Sequence, residues 1–192
     1  MPQPTATPLP TATPLPTETP TLVPTATSLA VNVPPQSVQT TPLDPCVLID
    51  SQEASTYTGA TFGQGEESTT DGGARICTYG ANTANVFLVE VGQAKDTDTA
   101  QAYKAAFLAD IEAHIQELTS QGLTVTQLPD FADGATMGIL SISINGESIN
   151  GSAIAFLKGT VFFGFSDLVL GSPAPDATAV QAEATTVLGR LP

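Results

Sequence analysis

Apolar residues change their spacing several times along this chain, and each change marks an element. Val47-Leu48-Ile49 runs into Asp50, Ser51 and Glu53, which suit the N-terminus of a short helix reaching about Tyr57, with Gly59 to stop it. Residues 63–73 are rich in Gly and Glu and predict a loop or an irregular hairpin. Strands are expected over 74–79 and 85–91, the second alternating Phe87, Val89 and Val91 with Val86, Leu88 and Glu90. The period then lengthens. Ala100, Tyr103, Phe107, Ile111, His114, Ile115 and Leu118 recur at spacings of three and four, the apolar stripe of a helix over about 98–121. Asp96 or Asp98 suits its start and Gly122 its end.

A short strand over 123–128 leads into the loop Pro129-Asp130-Phe131-Ala132-Asp133-Gly134. Three strands follow near 135–144, 147–157 and 160–166, joined by Asn145-Gly146 and Lys158-Gly159, both suited to two-residue hairpin turns. Ser172 and Pro173 then open a terminal helix with Val180, Ala184, Val187 and Leu191 on one stripe. Strands grouped in hairpins, rather than alternating singly with helices, predict an α+β fold: a mostly antiparallel sheet packed against a long central helix and a C-terminal helix.

The last hairpin also yields a prediction about faces. With Lys158-Gly159 as the turn, Phe156 opposes Val161, Ala155 opposes Phe162 and Ile154 opposes Phe163, and opposed residues share a face. One face then carries Ile154, Phe156, Val161, Phe163 and Phe165 and is expected against the helices. The other carries Ala153, Ala155, Gly164 and a lone Phe162. Leu140, Ile142 and Ile144 reach the first face only through a one-residue bulge at Asn150-Gly151, which places Ser141 and Ser143 on the second. That second face, with Phe162 at its centre and Ser141, Ser143, Ala153 and Ala155 around it, is the expected ligand or partner surface. On this reading Phe162→Ser costs under about 1 kcal/mol.

Composition divides the chain near residue 45. Twelve of the sixteen prolines and no Lys or Arg fall within the first 45 residues. Residues 4–21 read PTATPLPTATPLPTETPT, a six-residue repeat. Each Pro lacks a donor and restricts the residue before it, so helix and ladder are both excluded. A disordered Pro/Thr-rich stalk over 1–44 is expected, in extended polyproline-II conformations with a reach on the order of 100 Å. Residues 45–192 are enough for one globular domain that buries about two thirds of its unfolded surface.

The net charge is −14, of which Glu18 and Asp44 supply −2 and the domain, with 17 acidic and 5 basic residues, supplies −12. So few cations cannot neutralise phosphates, which argues against a nucleic-acid partner. No apolar run is long enough to be a transmembrane segment. Met1-Pro2-Gln3-Pro4 does not open like a signal peptide, so any export signal is expected to lie outside this chain. Cys46 and Cys77, both beside elements of one small domain, are expected to form a disulfide.

Catalytic chemistry is sparse. His114 is the only His and lies inside the long helix, leaving a serine nucleophile no base. Gly164-Phe165-Ser166-Asp167-Leu168 lacks the second Gly of a nucleophile elbow. Two cysteines and one His do not make a zinc site, and Asp96 and Asp98 suit helix capping better than calcium. Neither a catalytic residue, a metal site nor a cofactor is therefore expected.

Asp44-Pro45-Cys46, a short helix, Cys77-Thr78-Tyr79-Gly80, an amphipathic helix, a Gly/Asp/Ala segment and a C-terminal helix together resemble the small extracytoplasmic lipoprotein domains of bacterial cell envelopes. The resemblance spans about 45–190; the chain departs from the pattern in lacking a lipid-attachment Cys. It implies an extracytoplasmic location, at the cell surface or secreted. The function expected is a non-enzymatic envelope module that binds an envelope protein, a polymer or a small ligand. The alternatives are a carboxylate-dependent hydrolase acting on envelope glycans, for which a domain with no Trp and three Tyr offers few sugar platforms, and a purely structural spacer. Limited proteolysis is expected to remove residues 1 to about 42 and leave a fragment beginning near Asp44. Its melting temperature should match that of the whole chain, and a large drop would contradict the division.

Overall fold

The computed structural model describes residues 42–118, 124–144, 146–173 and 176–192. The side chains of residues 115, 117, 118 and 144 are not described, and residues 1–41 of the expected stalk, the helix end at 119–121 and Asn145 lie outside the described residues. The elements run α1 (Pro45–Leu48), α2 (Ser51–Thr58), β1 (Glu66–Thr69), β2 (Arg75–Tyr79), β3 (Val86–Gln93), α3 (Thr97–Leu118), β4 (Thr124–Leu128), β5 (Ala135–Ile144), β6 (Glu147–Lys158), β7 (Val161–Leu170) and α4 (Ala177–Arg190). One antiparallel sheet holds all seven strands in the order β1-β2-β3-β7-β6-β5-β4. The fold is therefore α+β. After β3 the chain crosses the sheet through α3 to the far edge and returns strand by strand, so that β7 closes the sheet against β3.

Local chemistry places the helices. Asp50 accepts from the Gln52 and Glu53 amides at 2.9 Å each, and Glu53 accepts from the Asp50 amide at 3.2 Å, a reciprocal capping box. Gly59 closes α2 at φ +73°, a left-handed conformation that costs Gly nothing. Asp96 accepts from the Thr99 amide at 2.8 Å at the head of α3, as capping requires. The last helix starts later than Ser172-Pro173 predicts. Asp176 is its N-cap, accepting from the Ala179 amide at 2.8 Å. Residues 63–73 take the hairpin form, with β1 paired to β2.

The central strands of the sheet are buried on both sides, and the edge strands β1 and β4 are largely exposed. On the first face Phe87, Val89, Ile154, Phe156, Phe163 and Phe165 pack with Leu48 and Ile49, with Ala54 of α2 and with Val180, Ala184 and Val187 of α4. Cys46 and Cys77 are bonded, tying α1 to β2 across a Cα–Cα distance of 5.2 Å. Closing a 31-residue separation stabilises the fold by about 3–4 kcal/mol on the chain-entropy account. Arg190 at the end of α4 donates to the Leu48 carbonyl and to both carboxylate oxygens of Glu53, and its bonding to that carboxylate holds Glu53 below the usual carboxylate range. The packed chain begins before Pro45: Arg75 donates to the Leu43 carbonyl at 2.6 Å, and Leu43 lies against the core.

The second face differs from the expected one in three ways. The turn is Gly159-Thr160, with Lys158 opposite Val161 and Phe156 opposite Phe163. Gly at φ +59° then takes the first central position, where a type II′ turn needs it. This slides each pairing by two residues and leaves the partition between faces intact, because faces alternate with period two. No bulge interrupts β5 and β6, which pair without a break from Ala135↔Phe156 to Ile144↔Glu147. Ser141 and Ser143 therefore share the first face, and Leu140 and Ile142 share the second with Ile111 of α3.

Most consequentially, the second face is not open at Phe162. Its side chain is 0% exposed, packed beside Ala155 and Leu157 under Ala100, Tyr103 and Phe107. Ala153 and Ala155 are buried as well. The amphipathic stripe of α3 needs an apolar partner, and Phe162 supplies it. Phe162→Ser is accordingly expected to cost about 3–5 kcal/mol in urea denaturation, the range for deleting a fully buried aromatic; a loss under about 1 kcal/mol would mean that α3 does not cover this position.

Candidate ligand-binding cavity

The second face is built in rows that run across the strands. Glu90, Gly164, Ala155 and Thr136 lie abreast on β3, β7, β6 and β5. The next row is Leu88, Ser166, Ala153 and Gly138, and the next is Val86, Leu168, Gly151 and Leu140. On the two central strands, β7 and β6, these positions are small apart from Leu168: Gly164, Ser166, Ala155, Ala153 and Gly151. Tyr103 and Phe107 of α3 use that space at one end: a Cβ on Gly92 would come within 2.7 Å of the Tyr103 ring, and one on Gly164 within 2.8 Å of Phe107. Beyond Phe107 the helix offers Asp110, Ile111 and His114 above Ser166, Ala153 and Gly151, and these do not fill the gap.

A cavity of about 560 Å³ remains, within the range of small-ligand sites. Five strands border it, from Ile76 on β2 to Leu140 on β5, and five strands span about 19 Å at the usual spacing. Its walls are mostly aliphatic: Ile76, Val86, Leu88, Ile111, Leu140 and Leu168, with Phe107 at one end. Asp110 and His114 stand at the mouth, each side chain 72% exposed, with His114 Nδ1 2.9 Å from the Asp110 carbonyl. The edge of the apolar stripe, where His114 falls in the sequence, is therefore the cavity rim.

Inside lies Glu90, only 7% exposed. Among the described residues no donor bonds its carboxyl, and no Lys or Arg borders the cavity. Desolvation pushes its pKa up to about 7, and the Asp110 charge adds to the shift. Sequence reasoning missed Glu90 as a site residue, although one signal was there: a charged residue on the Val86-Leu88 face of an otherwise apolar strand.

No family model, curated protein or solved structure matches this chain.

A second buried carboxyl, Asp167, lies on the opposite face. Ser152 donates to its Oδ1 from both amide and hydroxyl, and the Tyr57 and Ser152 hydroxyls are 2.6 Å apart. The Asp167 pKa is raised to about 7 by burial, against the lowering effect of those Ser152 bonds. Tyr57 is pushed up by its own burial and by the Asp167 charge. Ser152 and Asp167 border the cavity, yet their side chains point through the sheet toward α2, so this chain of hydroxyls fastens α2 to the sheet.

Of the expected partner surface, one residue borders the cavity. Ala153 lines the cavity; Ala155 and Phe162 lie buried under the first half of α3, and Ser141 and Ser143 are on the other face. Asp44, Cys46 and Glu67 come within 4.8 Å of one another, but the Cys46 sulfur is already bonded to Cys77 and has no thiolate to offer a metal.

Glu90 ties stability to pH. A carboxyl whose folded pKa lies near 7, above the ordinary 4.5, favours folding while protonated, so its contribution is lost as pH rises through that window. Asp167 acts in the same direction. Glu90→Gln removes one of the two, and it is expected to stabilise the domain by about 1–2 kcal/mol at about pH 8, after discounting for water at the mouth, and to change little at about pH 5. Melting curves at the two pH values check this; an equal gain at both would mean that Glu90 is not charged within a desolvated site.

Proposed function

We propose that this domain is a non-enzymatic extracytoplasmic module that binds a small, elongated and largely apolar ligand between α3 and the sheet. One observation carries the proposal: a cavity of about 560 Å³, walled by aliphatic side chains, sits under an amphipathic helix where small residues leave the sheet bare. An interior of this kind gains free energy by exchanging water for apolar surface, and such pockets are the default binding sites of globular domains. The location rests on separate support. The Cys46–Cys77 bond belongs with an oxidising compartment, and the Pro/Thr-rich segment and the resemblance to envelope lipoprotein domains agree with it.

The competing hydrolase reading draws on Glu90 and Asp110, two carboxyl groups in one cavity. The walls speak against a glycan, since sugar hydroxyls need many polar partners and here meet aliphatic carbon. Asp167, whose pKa is also raised, cannot assist from the opposite face of the sheet.

N-phenyl-1-naphthylamine, an uncharged apolar fluorophore, tests the reading. The folded domain is expected to bind one probe saturably. Ala153→Leu and Ser166→Leu, which place bulk on the cavity floor, should weaken binding at least about tenfold, corresponding to about 1.4 kcal/mol, with the fold retained. Binding unaffected by either change would place the probe elsewhere and remove the basis of the proposal.

A further inference from the structure

Resting on the reading of this cavity as a ligand site, we propose that its ligand carries a cationic headgroup, an amine or guanidine on an apolar body, and that Glu90 is the residue that recognises the charge. Three observations converge. The one charged side chain enclosed by the sheet side of the cavity is a carboxylate, and no described donor within the protein satisfies it. The acid nearest to it along α3 is Asp110, so the field at the mouth and the field inside have the same sign. No Lys or Arg borders the cavity to neutralise either, and the domain around it carries −12 from 17 acidic and 5 basic residues.

A desolvated carboxyl without a partner is costly, and a cation from outside the chain is one way to complete it. The surroundings of Asp167 differ: Ser152 donates to its Oδ1 from an amide and a hydroxyl, although its Oδ2 is buried without a partner. Glu90 receives neither and opens into free volume. An ammonium or guanidinium entering that volume would replace the lost solvation with a charge-assisted hydrogen bond, which is stronger where water is excluded. The aliphatic walls would meanwhile hold the apolar part of the same molecule. An anionic amphiphile faces the reverse, since both carboxyl groups repel it and no Lys or Arg on the walls pairs with it. The raised Glu90 pKa agrees, since desolvation without a cation is what raises it.

The experiment compares octylamine, octanol and octanoate, which share one apolar chain, by displacement of the apolar probe from the full chain at neutral pH. Octylamine is expected to bind on the order of tenfold more tightly than octanol, the size of effect that a charge-assisted bond supplies, and octanoate more weakly than both. In Glu90→Gln the preference for the amine should fall below about threefold while octanol binds as before, which separates loss of recognition from loss of fold. The preference should also survive about 0.5 M NaCl, which screens exposed charges but not an enclosed pair. Equal binding of the three ligands, a preference that persists in Glu90→Gln, or one abolished by salt would each overturn the assignment while leaving the cavity a ligand site. Failure of all three to displace the probe would overturn the cavity as a site for such ligands as well.

Discussion

Phe107 meets the sheet at Gly164, and this contact decides how the second face is used. A side chain at 164 would hold the ring off, since even a Cβ would come within 2.8 Å of it. With Tyr103 seated the same way on Gly92, the first half of α3 is fastened at two points, and Phe162 is sealed beneath it. A helix of 22 residues is stiff over its length. Fastening one half therefore also sets the height of the other half above the sheet. Farther along α3 the floor is Ser166, Ala153, Gly138 and Gly151, too small to reach the helix at that height. The cavity is the consequence of close contact at one end and short side chains at the other.

The opposite face follows another rule. There Phe87, Phe163 and Phe165 fill the layer beneath α2 and α4, and a disulfide, a capping box and the Arg190–Glu53 ion pair fix the helices from three directions. Its one buried acid is incorporated into a line of hydroxyls from Tyr57 through Ser152 to Asp167. One face is thus tightly packed, with one oxygen of its buried acid hydrogen-bonded; the other has free volume and a carboxyl that no described donor bonds. Separating the two tasks allows a site with unfilled space to persist, because stability comes mainly from the layer that the ligand never touches.

What the sequence by itself determined was the set of elements, the antiparallel arrangement, the disulfide and the division of β6 and β7 into two faces. These are local or parity properties. A capping box at Asp50 and Glu53 needs only neighbouring residues, and the separation of Phe162 from Phe163 and Phe165 holds for any pairing that preserves the alternation of side chains. The exact register was less secure, since Lys158-Gly159 and Gly159-Thr160 both place a glycine in the turn, and the requirement for positive φ at its first central position selected between them. Only the tertiary structure decided which face was covered, and by what. Burial of Phe162 depends on the path of α3 across strands distant in sequence, and the cavity depends on small residues from β5, β6 and β7 lying abreast. Glu90 follows the same logic. In the chain it is one acid among nineteen, and it becomes a candidate anchor only where the fold removes water from it and brings no donor in return.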